Sequence, residues 1–261
     1  MTFKSLFIKS CYFYRVKVFF KLLQIFWRLW FGLIVFGGLA LFFPLLWALL
    51  LHKSTYKTFH FMCRIWSYII LFFSGFFVDV EFEEELDPEK AYIICPNHVS
   101  YLDIPLIFVV MPGVFVFIGK KSLSKLPLFG WVYKKTMILV DRSCKHSSYD
   151  AFRRASERVA VGVGITIYPE GGIPHRDVKL QSFKSGAFRM AIEQKVDLVP
   201  VTFLDNKRLF PSDHLEGSPG RLRVFVHKPI PSGTYHSEDV HKFKSDVYEI
   251  INNKLSDDES R

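Results

Sequence analysis

Acidic residues are missing from the first 78 positions of this 261-residue chain, and Asp79 is the first. The same stretch carries nine cations: Lys4, Lys9, Arg15, Lys17, Lys21, Arg28, Lys53, Lys57 and Arg64. Of 34 basic residues, 25 are left to face 25 acids after position 78, so the formal charge of +9 belongs wholly to the N-terminal part. Nucleic-acid binders set their cations on polar or aromatic-studded surfaces. Basic charge threaded through Phe, Leu and Trp suits anionic membrane lipids instead, and no nucleic-acid partner is expected. Cysteine is scarce and scattered: Cys11, Cys63, Cys95 and Cys144 form no CxxC or Cys/His cluster. That argues against a metal site or a disulfide framework and for reduced thiols. No small-residue cleavage site follows a compact apolar core in the first thirty residues, so no removable signal peptide is read. A Gly-x-Ser-x-Gly elbow is absent, as are internal repeats. Gly162-Val163-Gly164 precedes a strand and lacks a third glycine, so it is no dinucleotide fingerprint.

Hydrophobic residues are plentiful, half of the chain with 28 Phe among them. Between Phe3 and Trp30, Lys17, Lys21, Gln24 and Arg28 recur at spacings of four, three and four. This gathers them on one stripe of a helix expected to lie in a membrane interface, cations toward the headgroups. Leu29 to Leu51 is uncharged and long enough to cross a bilayer core of ~30 Å at ~1.5 Å per residue, although Gly37-Gly38 and Pro44 interrupt it. A second apolar run, Ile65 to Val78, is too short to span comfortably. If the first run crossed alone with the early cations inside, everything after His52 would lie outside the cytoplasm. A catalytic domain on the cytoplasmic face needs instead a hairpin, a second crossing or an interfacial pair, and a membrane-embedded helical pair that does not cleanly span is the expectation. Residues 1–80 are therefore read as a membrane-associated helical segment and 81–261 as a separate domain.

From residue 81 the composition becomes that of an α/β domain. Strands are predicted at Tyr92 to Ile94, Val114 to Ile118, Met137 to Val140, Ile165 to Tyr168, Leu198 to Phe203 and Leu222 to Val226. Helices are predicted from Ser147 or Ser148, over Ser185 to Gln194, and from Ser237 to the C-terminal end. Ligands of open α/β sheets gather beyond the carboxyl ends of the strands. The first strand delivers Asn97, His98 and Asp103, the second Lys120, the third Asp141-Arg142, and the fourth Glu170, Gly171 and Gly172. A neutral imidazole held by a carboxylate on one nitrogen accepts a proton on the other, so His98 and Asp103 form a candidate general-base pair. Asn97 or Ser100 capping a helix, with Asp103 in its first turn, accounts for the same residues without chemistry. Cys95, at a strand end, reads as packed core rather than as a nucleophile.

In these motifs the chain resembles the glycerolipid acyltransferases typified by 1-acylglycerol-3-phosphate O-acyltransferase. Asn97, His98 and Asp103 meet the signature NHxxxxD. Lys120 to Leu123, Pro127 to Gly130 and Asp141-Arg142 match a second. Pro169-Glu170-Gly171 with Phe183-Lys184-Ser185-Gly186-Ala187 matches a third, and Val199-Pro200-Val201 a fourth. The resemblance covers residues 95–203 and implies a mixed sheet flanked by helices. It implies acyl transfer from an acyl-CoA or acyl carrier protein thioester to lysophosphatidic acid or another lyso-lipid, with no cofactor beyond that donor. His98 would be the general base and Asp103 its orienting partner, with no acyl-enzyme. Asn97, Glu170, Gly171 and Gly172 would hold the acceptor, Arg142 its phosphate, and Lys120 a phosphate or the thioester side. One departure stands out: Gly172-Ile173 replaces Thr-Arg, removing a planar guanidinium. His175, Arg176 or Lys184 would then supply the charge, or the acceptor lacks a terminal phosphate, as in a lyso-ornithine lipid. A non-catalytic lipid-binding protein on this scaffold is the rival from another class.

Overall fold

The computed structural model describes residues 3–141, 144–175 and 177–260. Two helices, α1 (Phe3–Leu49) and α2 (Tyr56–Phe73), lead into an alternating α/β chain. Its further elements are β1 (Phe76–Phe82), β2 (Ile93–Pro96), α3 (Asp103–Val110), β3 (Phe115–Lys120), α4 (Phe129–Thr136), β4 (Ile138–Val140) and α5 (Lys145–Val159). After these come β5 (Gly164–Thr166), α6 (Gly186–Gln194), β6 (Leu198–Phe203), α7 (Asn206–Leu209), β7 (Gly220–Val226) and α8 (Val240–Glu259). The seven strands form one sheet in the order β1-β7-β6-β2-β5-β3-β4. Every pairing is parallel except β6 with β7, so the sheet is mixed, as expected.

Central strands of such a sheet are covered on both faces and read as unbroken apolar runs. All four residues of β2 and all six of β6 are buried. Leu71 of α2 and Leu102, Leu106 and Ile107 of the α3 region pack one face of the sheet. Ala151 and Ala155 of α5, Phe188 of α6 and Phe243, Val247 and Ile251 of α8 pack the other.

The N-terminal part differs from the sequence expectation in three ways. First, the boundary at residue 80 falls inside β1. The second apolar run is not one helix: α2 stops at Phe73, Gly75 turns the chain at φ 79°, and Phe76 starts an edge strand paired along its length with β7. A left-handed glycine just past a helix end is a common stop, because only glycine adopts that φ without cost. Second, α1 continues through Gly37-Gly38 and Pro44 without interruption. A Cβ on Gly38 would fall 2.1 Å from the Trp66 ring, so this glycine admits the α2 indole. Third, the polar stripe of α1 is not given over to headgroups. Gln24 donates to the Gly217 carbonyl at 3.2 Å, and Arg28 donates to the carbonyls of Pro211 at 2.8 Å and Glu216 at 2.5 Å. The Gln24–Arg28 end of the stripe docks on the α/β domain while Lys17 and Lys21 stay exposed, and the apolar faces are left outward, with Phe19, Phe26, Leu33 and Leu41 exposed. The stretch Arg15–Leu49 is long and apolar enough to cross a membrane and is almost uncovered by protein.

The Gly38–Trp66 contact is testable. Gly38→Ala should lower stability in detergent by about 1–3 kcal/mol through overpacking. Gly37→Ala, whose Cβ would meet only Leu33 at 3.6 Å, should leave the melting temperature unchanged or raised. Thermal unfolding of the two variants side by side reads the difference.

Candidate active site

Three adjacent strands, β5, β2 and β6, deliver the site at their carboxyl ends. Beyond β2 the chain turns through residues 97–102 into α3, and Asp103 at the helix start folds its carboxylate back over that turn. Its Oδ2 accepts from the amides of Val99 at 2.7 Å and Ser100 at 3.0 Å. The same oxygen lies 2.7 Å from His98 Nδ1. Oδ1 accepts from Asn206 Nδ2, just past β6, at 2.7 Å. Neither Asn97 nor Ser100 caps α3, whose N-cap is Leu102 with no side-chain cap; Asp103 does sit in the first turn, and its one carboxylate satisfies the preceding loop and holds the imidazole. A carboxylate oxygen accepts, so Nδ1 donates and the neutral ring keeps its lone pair on Nε2. The His98 side chain is 16% exposed and that of Asp103 is fully buried, so the free nitrogen alone faces incoming reactants.

The ring plane is set by Tyr168, beyond β5, which stacks on His98 at 4.0 Å between centroids and 21° between planes. Phe117 lies parallel to Tyr168 at 6.4 Å. Burial pushes the Tyr168 phenol well above its ordinary range, so it stays protonated, and its buried hydroxyl has no hydrogen-bond partner among the described residues. Glu170 accepts from the His98 amide at 2.7 Å and from the Gln181 amide at 2.9 Å. Burial outweighs those two bonds and raises its carboxyl from 4.5 to about 6.

Several expected substrate contacts are corrected. Asn97 is fully buried, its amide donating to the Phe203 carbonyl at 3.2 Å and accepting from the Phe203 amide at 2.8 Å. It therefore clips β2 to β6 and, being fully buried, presents no surface to an acceptor. Glu170 likewise spends both oxygens on backbone amides and holds the His98 loop against the loop after β5. Gly171, at φ 80°, makes the turn that the Pro-Glu-Gly run requires, and a Cβ there would lie 2.7 Å from Lys184 Nζ. Gly172 follows in a half-buried bend. Lys120 ends β3, two strands away from β2, with its side chain exposed. Arg142 and Arg176 lie outside the described residues. His175 is exposed and pairs with Asp177 at 3.0 Å. Lys184 ties its amide to the Pro169 carbonyl at 2.8 Å and carries its ammonium across Gly171. A cavity of about 240 Å³ adjoins this turn, walled largely by apolar side chains such as Phe152, Ile167 and Met190, with Lys184 at its edge.

Asn206 and Tyr168 are the functional residues that sequence reasoning missed. Asn206 had a signal, since it follows the strand Leu198–Phe203 just as His98 follows β2. Tyr168 had none beyond its place before Pro169.

Comparison with known proteins bears on this geometry. The Acyltransferase family profile matches residues 77–204. A chloroplastic 1-acyl-sn-glycerol-3-phosphate acyltransferase of Arabidopsis thaliana is 31% identical over 67% of this chain and 49% of its own length. An enzyme of the same name from Saccharomyces cerevisiae is 27% identical over 70% of this chain and 61% of its own length. The chain thus spans roughly half to three fifths of these relatives. A crystal structure of the 1-acyl-sn-glycerophosphate acyltransferase from Thermotoga maritima superposes with a TM-score of 0.73 at 24% identity, covering 92% of this chain and 97% of that one. At that identity it shows a shared fold.

Two outcomes are expected of the site. Asn206→Ala removes a donor from a buried carboxylate, a loss of about 1.5–3 kcal/mol, and should lower kcat roughly 10- to 100-fold with KM little changed. Steady-state kinetics at fixed pH check this. For Glu170, the folded state holds its proton to a higher pH than the unfolded chain does. Stability should therefore fall as pH rises from 4.5 to about 6, by about 2 kcal/mol. Urea unfolding across that window should show the decline in the native chain and its loss in Glu170→Gln.

Proposed function

Because the chain belongs to the acyltransferase family matched over residues 77–204, we propose that it moves a fatty acyl group from a thioester to the free hydroxyl of lysophosphatidic acid. The product is phosphatidic acid for phospholipid synthesis. The observation that carries this reading is His98, with Nδ1 held by the buried Asp103 carboxylate and Nε2 open. Nε2 takes the proton of the acceptor hydroxyl as its oxygen attacks the thioester carbonyl. Asp103 stabilises the imidazolium that forms. The tetrahedral adduct then collapses, the carbon–sulfur bond breaks, and the imidazolium returns the proton to the departing thiolate. Atoms and protons balance without a covalent enzyme intermediate. The Tyr168 ring under the imidazole supports this cycle, since an aromatic face favours the cationic ring.

The lyso-lipid acceptor is membrane-borne, and the donor, acyl-CoA or an acyl carrier protein thioester, is water-soluble and cytoplasmic. A domain on the cytoplasmic face with α1 and part of α2 embedded in the bilayer serves both. The outward Phe, Leu and Trp of α1 support that arrangement. The absence of charge at Ile173 favours widening the acceptor class to other lyso-lipids, including lysophospholipids and a lyso-ornithine lipid.

Purified protein given labelled acyl thioester and a panel of lyso-lipids should acylate lysophosphatidic acid. Transfer to none of them would overturn the enzyme reading, and transfer only to a phosphate-free acceptor would replace the substrate. His98→Ala should lower turnover by about 100- to 10,000-fold while leaving vesicle binding intact.

A further inference from the structure

Beyond α1, a second surface carries the marks of contact with a charged partner. No acidic residue occurs between Ile104 and Val140, whereas Lys120, Lys121, Lys125, Lys134 and Lys135 do. Four of these lysines lie on two short consecutive elements, the 3-10 turn Lys121–Lys125 and α4. All four side chains are exposed. Charged surfaces of folded proteins ordinarily mix both signs, so a one-sign patch of this density raises a local field, and among the described residues none of the four lysines pairs with a carboxylate.

The same segment exposes large apolar groups. Leu123, Leu126 and Leu128 are 40%, 45% and 44% exposed. Leu128 is held at φ 54°, a region leucine avoids, so the chain bears a backbone cost while its side chain stays outward. Leucines interleaved with lysines match the acyl boundary and the headgroups of a bilayer respectively. Position agrees with composition. Trp131 of α4 packs edge-on against Phe43 of α1 at 5.8 Å, and Lys135 lies 5.9 Å over the Trp131 ring. The basic segment is therefore continuous with the exposed apolar surface of α1.

We propose that residues 121–135 form a second membrane contact, selective for anionic lipid, in which Lys121, Lys125, Lys134 and Lys135 bind headgroup phosphates while Leu123, Leu126 and Leu128 enter the acyl boundary. The inference takes from the preceding section only that α1 lies in a bilayer. Anchoring at α1 alone leaves the domain free to swivel about one helix axis. A second contact beside it holds the carboxyl ends of the strands at one height over the surface. An acidic carrier protein would satisfy the lysines but leave the three leucines and the continuity with α1 without a role.

The test compares the full chain with a variant carrying Lys121→Gln, Lys125→Gln, Lys134→Gln and Lys135→Gln, and with its four-arginine counterpart. Flotation is measured with phosphatidylcholine vesicles and with vesicles that also contain phosphatidylglycerol. Each lysine near an anionic surface contributes about five-fold in partitioning at low salt. The glutamine variant should therefore lose at least about 10-fold of the preference for anionic vesicles and bind neutral vesicles as the native chain does. The arginine variant should keep the preference, and salt should erase it in both charged forms. An unchanged preference in the glutamine variant overturns the proposal. So does unchanged vesicle binding accompanied by a raised KM for a carrier-protein thioester, which would assign the patch to that protein. Transfer from a coenzyme A thioester in neutral detergent micelles is followed in parallel and should be the same in all three. Inactivity of the native chain there would fail the acyltransferase reading and leave the vesicle result to stand alone.

Discussion

Asp103 buries a carboxyl group completely, and a group in that state is tolerated only where donors replace the water it has lost. Two amides of the preceding turn, the His98 ring and the Asn206 side chain do so. These donors come from the end of β2 and the segment after β6, so the carboxylate cannot be satisfied unless both strands are paired and both loops closed. Asn97 enforces the pairing through its two bonds to Phe203, and Glu170 brings in the loop after β5 through the His98 amide. Folding of the central sheet and assembly of the His98–Asp103 pair are thus one event. The imidazole cannot drift from its acceptor without exposing an unsatisfied carboxylate.

A second dependence runs outward from this centre to the two N-terminal helices. Ser100, whose amide binds Asp103, donates its hydroxyl to the Phe210 carbonyl at 2.6 Å. The Phe210 ring carries the Arg28 guanidinium at 3.7 Å and packs against Phe31 at 4.4 Å. Arg28 also grips the carbonyls of Pro211 and Glu216, and Trp27 and Trp30 donate to Ser74 and Phe73 at the turn before β1. The route from α1 to His98 therefore passes through a few short hydrogen bonds and one aromatic cluster. If α1 lies in a bilayer as proposed, an arginine on it is costly unless its charge is spent on protein. Here that expense fixes the height of the active site relative to α1.

The α/β alternation, six of the seven strands, and His98 with Asp103 could be read from the chain because each leaves a local trace. Buried strands are apolar runs, and the base and its carboxylate fall within one turn. β1 could not, since Phe76–Phe82 continues an apolar helix and becomes a strand only because Gly75 breaks it and β7 offers an edge. Arg28 and Gln24 misled for a related reason. Helical spacing shows that side chains share a face but not which surface meets that face, and carbonyls near Pro211 and Gly217 are almost 200 residues away in sequence. Asn97 and Glu170 were legible as important and illegible in role, because both act on backbone groups brought near by long-range pairing. Asn206 required asking of β6 what had been asked of the earlier strands.

The turn at Gly171 bears most directly on the acceptor of the proposed transfer. The φ of 80° requires glycine there, and the Lys184 stem lies over it, with Cε 2.8 Å from where a Cβ would be. The Lys184 amide bonds to the Pro169 carbonyl, so residues 169–171 and 183–187, separate in sequence, form one structural unit with an ammonium laid across it. Ile173 brings no charge to that unit. A guanidinium fork matches two oxygens of a phosphate in one plane, whereas an ammonium is a rotatable point charge with three donors. Such a cation attracts a phosphomonoester or a phosphodiester alike in kind and imposes little orientation on either. Selectivity among acceptors must then come from groups that do have fixed geometry. Among the described residues those are the apolar walls beside Gly171 and the direction of the His98 Nε2 lone pair, which Asp103 and Tyr168 together set.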